Sequence, residues 1–234
     1  MLELKKWKNG AKGHRFVLSF SGGKDSVLAL YKAKQVGEAI GLLVMLEEEG
    51  KRSRSHGMSP GLIEAQAKSI GLPVYMAASS WRNYEKEFIH LLEKAKIHGA
   101  EALVTGDLDM EAHGCWHEKV TEHVGLRLGM PLWGMNHREA VKEFINLGFE
   151  TIIVTVNLSL GMREDDLGRT LTHDYVEELE DRGIDPCGEG GEFHTTVING
   201  PIFKFPIHVR KCEILKDGEY AFLPLALKDA QKNN

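Results

Sequence analysis

The chain has 234 residues, of which 42% are hydrophobic and 27% are charged, and its net charge is −5. This composition supplies enough apolar material for a core, and the acidic balance argues against nucleic acid as a partner. The three cysteines form no C-x-x-C pair, which indicates neither a disulfide framework nor a zinc ribbon and favours a reducing cytoplasm. No stretch of the sequence approaches the ~18 uninterrupted apolar residues of a membrane span.

Apolar runs alternate with amphipathic segments along the first two thirds of the chain, which predicts strands alternating with helices. Six strands are expected here, at residues 15–20, 39–45, 72–76, 102–107, 131–135 and 151–156. Helices are expected at residues 26–37, 60–70 (capped by Ser59), 84–98, 111–128 and 138–147. This alternation is typical of a doubly wound, mainly parallel α/β sheet with right-handed crossovers.

The rhythm changes beyond residue 157. A helix capped by Thr172 is expected, followed by a glycine-rich loop and by short strands at 196–198, 201–205, 207–213 and 220–223. We therefore predict an α/β domain at residues 1–160 and a small α+β appendage at residues 161–234. Residues 228–234 are expected to be frayed.

The first predicted strand leads directly into Ser21-Gly22-Gly23-Lys24-Asp25-Ser26. Glycines before a helix amino terminus direct free backbone N–H groups and the positive end of the helix dipole at one point, which favours an anion. The two glycines would let the backbone approach a polyphosphate, Lys24 adds a cation, and both serines offer hydroxyl groups, with Ser26 also placed as the helix cap. A tight turn that merely needs two glycines is the alternative. The spacing is not that of a Walker A loop.

Residues 21–26, directly after a buried strand, resemble the PP-loop signature of the ATP pyrophosphatase superfamily. A second motif is more specific: Gly-Glu-Gly-Gly-Glu-Phe-His-Thr at 188–195, followed by Asn-Gly-Pro-Ile-Phe at 199–203, is similar to the carboxy-terminal signature of the diphthine–ammonia ligase family of PP-loop proteins. Three shorter segments agree with it, at residues 105–107, 131–133 and 147–149. The resemblance covers nearly the whole chain.

The resemblance implies an ATP-dependent amide ligase. In that family the loop holds the β- and γ-phosphates of ATP, a substrate carboxylate attacks the α-phosphorus, and ammonia then displaces AMP from the acyl adenylate. Because Leu2 follows Met1, the chain offers no N-terminal cysteine nucleophile of a glutaminase, and free ammonium is the expected nitrogen source. The expected partners are ATP, ammonium and a carboxylate-bearing acceptor, either a small molecule or a modified protein side chain. The oligomeric state stays open, a homodimer included.

Several further residues are expected to contact ATP and its magnesium ion. Asp25 and Asp107 follow predicted strands and are expected to share Mg²⁺, which usually takes one or two carboxylates together with substrate phosphates. His56 and Gly106 are expected beside the nucleotide, because ligands of such folds bind at the carboxyl ends of the strands. An ordinary surface histidine is the alternative for His56.

The second glycine-rich loop supplies the predicted catalytic residues, Glu189, Glu192, His194 and Thr195. The two glutamates are expected to orient the substrate, to coordinate Mg²⁺ or to take a proton from ammonium, and a solvated loop is the alternative. His194 is the expected base near neutral pH, because the ordinary pKa of histidine is about 6.5.

Asp109, His113 and His117 are four residues apart, so if the helix begins at Asp109 they share one face, with a spacing at which two imidazoles and a carboxylate can hold a divalent metal. A polar helix face is the favoured interpretation. This segment departs from the Ser-x-Tyr-Gln stretch of family members that amidate diphthine and looks more like a bacterial branch. Diphthamide is made on an elongation factor of archaea and eukaryotes, so a bacterial source would exclude that acceptor.

Two other functions compete with the ligase. One is a non-catalytic sensor that binds an adenine nucleotide, which would not need a second loop carrying Glu and His. The other is a PP-loop enzyme that acts on a different substrate, such as a tRNA-thiolating enzyme. The acidic net charge and the missing cysteine pairs count against that enzyme.

Overall fold

The structure is a computed structural model that describes residues 7–54 and 56–228. Within them, five strands form a parallel sheet in the order β3-β2-β1-β4-β5. They are β1 (Arg15–Ser19), β2 (Glu38–Leu46), β3 (Val74–Ala78), β4 (Ala102–Val104) and β5 (Arg127–Gly129). The predicted doubly wound α/β sheet is confirmed. Of residues 228–234, which are expected to be frayed, 229–234 lie outside the described part of the chain, and the Lys228 N–H donates to the His208 carbonyl oxygen at 2.8 Å.

Six α-helices accompany the strands in the described residues. They are α1 (Lys24–Lys34), α2 (Pro60–Ile70), α3 (Tyr84–Ile97), α4 (Glu111–Val124), α5 (His137–Asn146) and α6 (His173–Asp181). Successive side chains of β1 point to opposite faces of the sheet, so Phe16 joins a core that includes residues of α1 and α2. Its neighbour Val17 joins a second core that includes residues of α3 and α4. No helix in the described ranges has the length and apolarity to cross a membrane.

The helix caps follow the predictions in two cases and differ in one. Ser59 accepts a hydrogen bond from the Leu62 N–H, and Thr172 accepts one from the Tyr175 N–H. The prediction that Ser26 caps the first helix is wrong, because α1 begins at Lys24 with Gly23 as its N-cap. The Ser26 side chain instead lies in the first turn of α1.

The region around β5 differs from the prediction. The predicted helix at 111–128 ends at Val124, because Gly125 takes a left-handed conformation with φ of 72° and terminates it. Residues 127–129 then form β5, whereas the predicted strand at 131–135 is a turn. Strand β4 pairs with residues 127–129, which come soon after the end of α4.

The sixth predicted strand exists but does not extend the parallel sheet. This strand, β6 (Glu150–Asn157), pairs antiparallel with β7 (Phe193–Asn199) and with β10 (Tyr220–Phe222). Strand β9 (Leu215–Asp217) completes a second sheet in the order β7-β6-β10-β9, and β8 (Val209–Lys211) pairs with β11 (Leu225–Leu227). The continuous apolar run of β6 looks like that of a buried parallel strand, because here too both faces are covered.

The carboxy-terminal predictions are partly confirmed. The strands predicted at 196–198, 207–213 and 220–223 correspond to β7, β8 and β10, whereas residues 201–205 form turns and bends. Strands β9 and β11 were not predicted. The division at residue 160 stays a prediction, and β6, which precedes that point, pairs with strands that follow it.

Candidate active site

The turn between β1 and α1, residues 20–26, needs both of its glycines for packing. Gly22 has a φ of +75°, and a Cβ there would overlap Met58 Cε and Gln66 Oε1. A Cβ on Gly23 would overlap the His56 ring and lie 3.1 Å from the Thr195 carbonyl oxygen. Neighbouring groups of the protein therefore exclude a larger residue at either position. From the sequence, the two glycines were instead expected to make room for an approaching anion.

Two N–H groups of this turn donate hydrogen bonds to side-chain hydroxyl groups. The Lys24 N–H donates to Thr195 Oγ1 at 3.1 Å, and the Gly23 N–H donates to Ser21 Oγ at 3.3 Å. Ser26 Oγ donates to the Gly23 carbonyl oxygen at 3.0 Å. An anion that binds at the amino terminus of α1 replaces hydroxyl partners with a negatively charged acceptor, which the helix dipole favours.

The β1–α1 turn is fixed to the second sheet. The fully buried Gln66 donates from Nε2 to the carbonyl oxygens of Gly22, at 3.0 Å, and Val197, at 2.7 Å. The Val197 N–H also donates to the Gly22 carbonyl oxygen at 2.9 Å. Strand β7 therefore places Thr195 beside the turn, although the two are far apart in the sequence.

The charged side chains of the turn form a partly buried ion pair. Lys24 is 5% exposed, and its Nζ lies 2.8 Å from Asp25 Oδ2. Burial lowers the pKa of Lys24, but Asp25, Cys187 and Glu189 outweigh it and raise the pKa above its ordinary value. The ammonium group therefore stays charged in the cleft, where an anion can bind to it.

The loop at residues 185–192, here called the acidic loop, is shaped by Asp185. Its Oδ1 accepts a hydrogen bond from the Cys187 N–H at 3.0 Å, and its Oδ2 accepts one from the Glu189 N–H at 3.1 Å. Burial together with the charges of Asp25 and Asp107 raises the pKa of Glu189 to about 7. Carboxylates thus accumulate at one point where a cation would relieve their repulsion.

The residues around Glu189 fit a divalent cation in part. Asp25, Cys187 and Glu189 place possible ligand atoms within 4.8 Å of one another. The two carboxylates suit Mg²⁺, which prefers oxygen ligands, whereas the thiol does not. Both oxygens of Asp107 are instead close to imidazoles, with His113 Nδ1 at 3.0 Å and His117 Nε2 at 3.3 Å. The role of Asp107 as a magnesium ligand stays a prediction.

Two histidines with rings tilted by 36° to each other lie beside the β1–α1 turn. The ring centroids of His56 and His194 are 4.7 Å apart, and His56 Nδ1 lies 2.7 Å from the Thr195 carbonyl oxygen. Burial and the charges of His56 and Lys24 lower the pKa of His194 to about 3. His194 is then neutral at physiological pH and binds a proton weakly. Its role as a base near neutral pH stays a prediction that this pKa disfavours.

These elements enclose one cavity of about 500 Å³ at the carboxyl ends of the parallel strands. Ten predicted site residues line it: Ser21, Lys24, Asp25, Ser26, His56, Gly106, Asp107, Glu189, His194 and Thr195. Gly22, Gly23 and Glu192 do not line it. Gly106 is packed so closely on the turn that a Cβ would lie 2.8 Å from the Asp25 carbonyl carbon and the Ser26 nitrogen.

The Asp109, His113 and His117 triad predicted from helical spacing does not come together. Asp109 precedes α4, and its Oδ2 lies 3.0 Å from His137 Nε2. His113 and His117 share Asp107 and line the cavity. The favoured interpretation of a polar helix face is therefore closer to the structure than a metal site.

The sequence did not predict an aromatic wall of the cavity, which Trp81, Tyr84 and Trp116 form. Trp81 is 75% exposed, and the guanidinium carbon of Arg54 lies 4.2 Å from a ring centroid of this tryptophan. Tyr84 and Trp116 continue the wall, with centroids 5.7 Å apart. These residues follow β2 and β3 or lie on α4, and no spacing in the sequence connects them.

A parallel sheet with a glycine-lysine turn at the carboxyl end of its central strand defines an α/β protein of the PP-loop class. Matches to models of protein families identify the family within this class. Residues 14–128 match the diphthamide synthase N-terminal domain, and residues 136–229 match the diphthamide synthase C-terminal domain. The chain belongs to the diphthamide synthase family.

Curated relatives agree with this family. The chain is 27% identical over 241 residues to the diphthine–ammonia ligase of Rattus norvegicus, covering 91% of this chain and 89% of that protein. It is 26% identical over 238 residues to the enzyme of the same name from Homo sapiens, with the same coverage. A solved structure of a predicted subunit of tRNA methyltransferase from Methanocaldococcus jannaschii is 16% identical, covers 83% of this chain and all of its own, and superposes with a TM-score of 0.41.

Proposed function

We propose that the protein is an ATP-dependent ligase that adenylates a substrate carboxylate and amidates it with ammonia. The observation that carries this proposal is the single cavity that the β1–α1 turn and the acidic loop share. Membership in the diphthamide synthase family and relatives named diphthine–ammonia ligase support it. A cleft built from backbone amides, Lys24 and carboxylates suits chemistry that needs positioning and charge neutralisation more than a protein nucleophile.

In the first half-reaction, the pyrophosphate end of ATP binds at the β1–α1 turn. Lys24 and the N–H groups at the start of α1 neutralise the negative charge there. A carboxylate oxygen of the acceptor attacks the α-phosphorus, and the bond from that phosphorus to the β-phosphate bridging oxygen breaks. Pyrophosphate leaves and an acyl adenylate remains.

In the second half-reaction, ammonia attacks the acyl carbon. The bond from that carbon to the adenylate oxygen breaks, AMP leaves, one proton is released and the amide is formed. Asp25 and Glu189 are the residues that would hold Mg²⁺, and the ion would supply neutralisation of phosphate charge.

The test is the identity of the nucleotide product. We expect AMP and pyrophosphate when the protein receives Mg·ATP, ammonium and an elongation factor that bears diphthine. We expect no cleavage when the acceptor is omitted, and no continued release of AMP when ammonium is omitted. Release of ADP and phosphate would contradict the ligase. AMP formation that does not need the diphthine-bearing factor would exclude diphthine as the required acceptor.

Lys24→Ala tests the assignment of the β1–α1 turn to ATP. Removing the buried cation is expected to weaken ATP binding by at least about 100-fold, because a charge-assisted contact to phosphate is lost and Asp25 remains unpaired. Titration calorimetry with ATP measures this directly. Lys32→Ala, on the same helix and paired with Glu143 outside the cavity, is the matched control and is expected to bind ATP normally.

A further inference from the structure

A histidine outside the cavity, His137, contacts two of the loops that border the cavity. His137 is the first residue of α5, and its ring lies between two carboxylates. Its Nδ1 is 2.8 Å from Asp185 Oδ2, and its Nε2 is 3.0 Å from Asp109 Oδ2. Asp109 belongs to the segment between β4 and α4, whereas Asp185 begins the acidic loop. One side chain therefore spans the gap between a loop of the parallel sheet and the loop that carries Glu189.

Asp185 connects His137 to the main chain of the acidic loop. The oxygen that faces His137 also accepts the hydrogen bond from the Glu189 N–H, and its other oxygen accepts the one from the Cys187 N–H. A carboxylate with these partners has little freedom to rotate, because each oxygen is held from a different direction. The orientation of Asp185 thus fixes the backbone at Glu189.

The charges around His137 support an imidazolium. Burial lowers the pKa of His137, but Asp185 and Asp109 outweigh it and raise the pKa above its ordinary value. With a proton on each nitrogen, the ring donates to both carboxylates at once, and such charge-assisted hydrogen bonds are the stronger kind.

We propose that His137 is a positioning residue of the ligase reaction, which holds the acidic loop so that Glu189 faces the β1–α1 turn. This inference rests on the proposed function for its effect on turnover. His137 does not line the cavity, so it acts on the substrates only through Asp185 and the loop. The side-chain contacts of His137 are made with carboxylates of two loops, whereas the buried residues of α5 itself are Ala140, Val141 and Phe144.

The first test measures the loop itself. In His137→Ala, the amide protons of Cys187 and Glu189 are expected to exchange with deuterium at least about tenfold faster, because losing a charge-assisted hydrogen bond frees Asp185. Amides of β1 and α1 are expected to keep their protection. Unchanged exchange at both positions would overturn the proposal, and this result does not depend on any acceptor.

The second test separates turnover from nucleotide binding. His137→Ala is expected to lower kcat for AMP formation about tenfold or more while the Kd for ATP stays within about twofold of the wild type. His137→Gln keeps an amide N–H that can donate to Asp185 and is expected to recover part of kcat. An equal rise in the Kd for ATP, or no recovery with glutamine, would show that the residue serves the fold alone.

His173→Ala is the matched control. His173 is also the first residue of a helix, α6, and its Nε2 lies 2.9 Å from Asn146 Oδ1, away from the cavity. Neither the exchange of the acidic loop nor kcat is expected to change in this variant, and an equal loss would contradict a specific role of His137. If the wild type releases ADP instead of AMP, the proposed function fails, whereas the exchange experiment still decides whether His137 holds the loop.

Discussion

The two glycine-rich segments of the cleft are held by different kinds of interaction. The β1–α1 turn is largely buried and is fixed by a main-chain hydrogen bond from β7, by the Thr195 hydroxyl and by Gln66 of α2. The acidic loop is more exposed, with Gly190 at the surface, and carboxylate and imidazole side chains hold it. The turn therefore resembles a rigid part of the core, whereas the loop can be altered by changing single polar residues.

The largest effect is expected at the rigid turn. In Gly106→Ala, the new methyl group would press on the backbone of Asp25 and Ser26, which cannot move without displacing α1. Overpacking of this kind costs about 1–3 kcal/mol, and we expect ATP affinity to fall by at least about tenfold. Urea unfolding and ATP titration measure the two effects.

A second glycine provides the control for this substitution. Gly61 lies in α2 with open space around its Cα, so Gly61→Ala is expected to stabilise the protein by about 0.5–1 kcal/mol through helix propensity. Normal ATP binding by Gly106→Ala would show that the turn is less rigid than its contacts indicate.

A more selective effect, on turnover and not on stability, is expected at the acidic loop. Glu189 lines the cavity and lies close enough to Asp25 for both carboxylates to bind one cation. Glu192 does not line the cavity. Glu189→Gln is therefore expected to lower the rate of AMP formation by about 100-fold and to raise the Mg²⁺ concentration needed, with metal-free ATP affinity unchanged. Glu192→Gln is expected to have the weaker effect, and the reverse order would assign the metal to the outer glutamate.

The smallest effect concerns stability at acidic pH. The folded protein lowers the pKa of His194 to about 3, so below the ordinary value of about 6.5 the unfolded chain binds a proton that the folded chain does not. The free energy of unfolding is expected to fall as pH drops through this window, by ~1 kcal/mol at pH 5.5 from this residue alone. His56, whose pKa is also lowered, adds to the effect.

His194→Gln separates this contribution from the rest of the protein. The variant cannot take up the proton, so the difference between its unfolding free energies at pH 7.5 and pH 5.5 is expected to be smaller than in the wild type by ~1 kcal/mol. Urea unfolding at the two pH values gives both numbers for each protein. An identical pH dependence of the two proteins would contradict the lowered pKa.

The sequence predicted the fold where the relevant interactions are local. Pro60 after Ser59 and Gly71 after Ile70 were enough to place α2, because caps and left-handed glycines act within one helical turn. The partners of β6 were not predictable. An apolar run indicates that both faces of a strand are covered. It does not indicate which strands are the neighbours of that strand or in which direction they run.

The candidate site shows the same division between local and distant interactions. By itself, the sequence determined a glycine-lysine turn between a buried strand and a helix, and a second loop rich in glycine and glutamate, because both depend on residues adjacent in the chain. Only the tertiary structure decided that Thr195 meets Lys24, that Asp107 meets two histidines and that His137 reaches the acidic loop. The contacts of Thr195 and His137 join residues far apart in the sequence, and that of Asp107 depends on how α4 is placed against the loop before it, so tertiary packing sets these distances and the pKa values that follow.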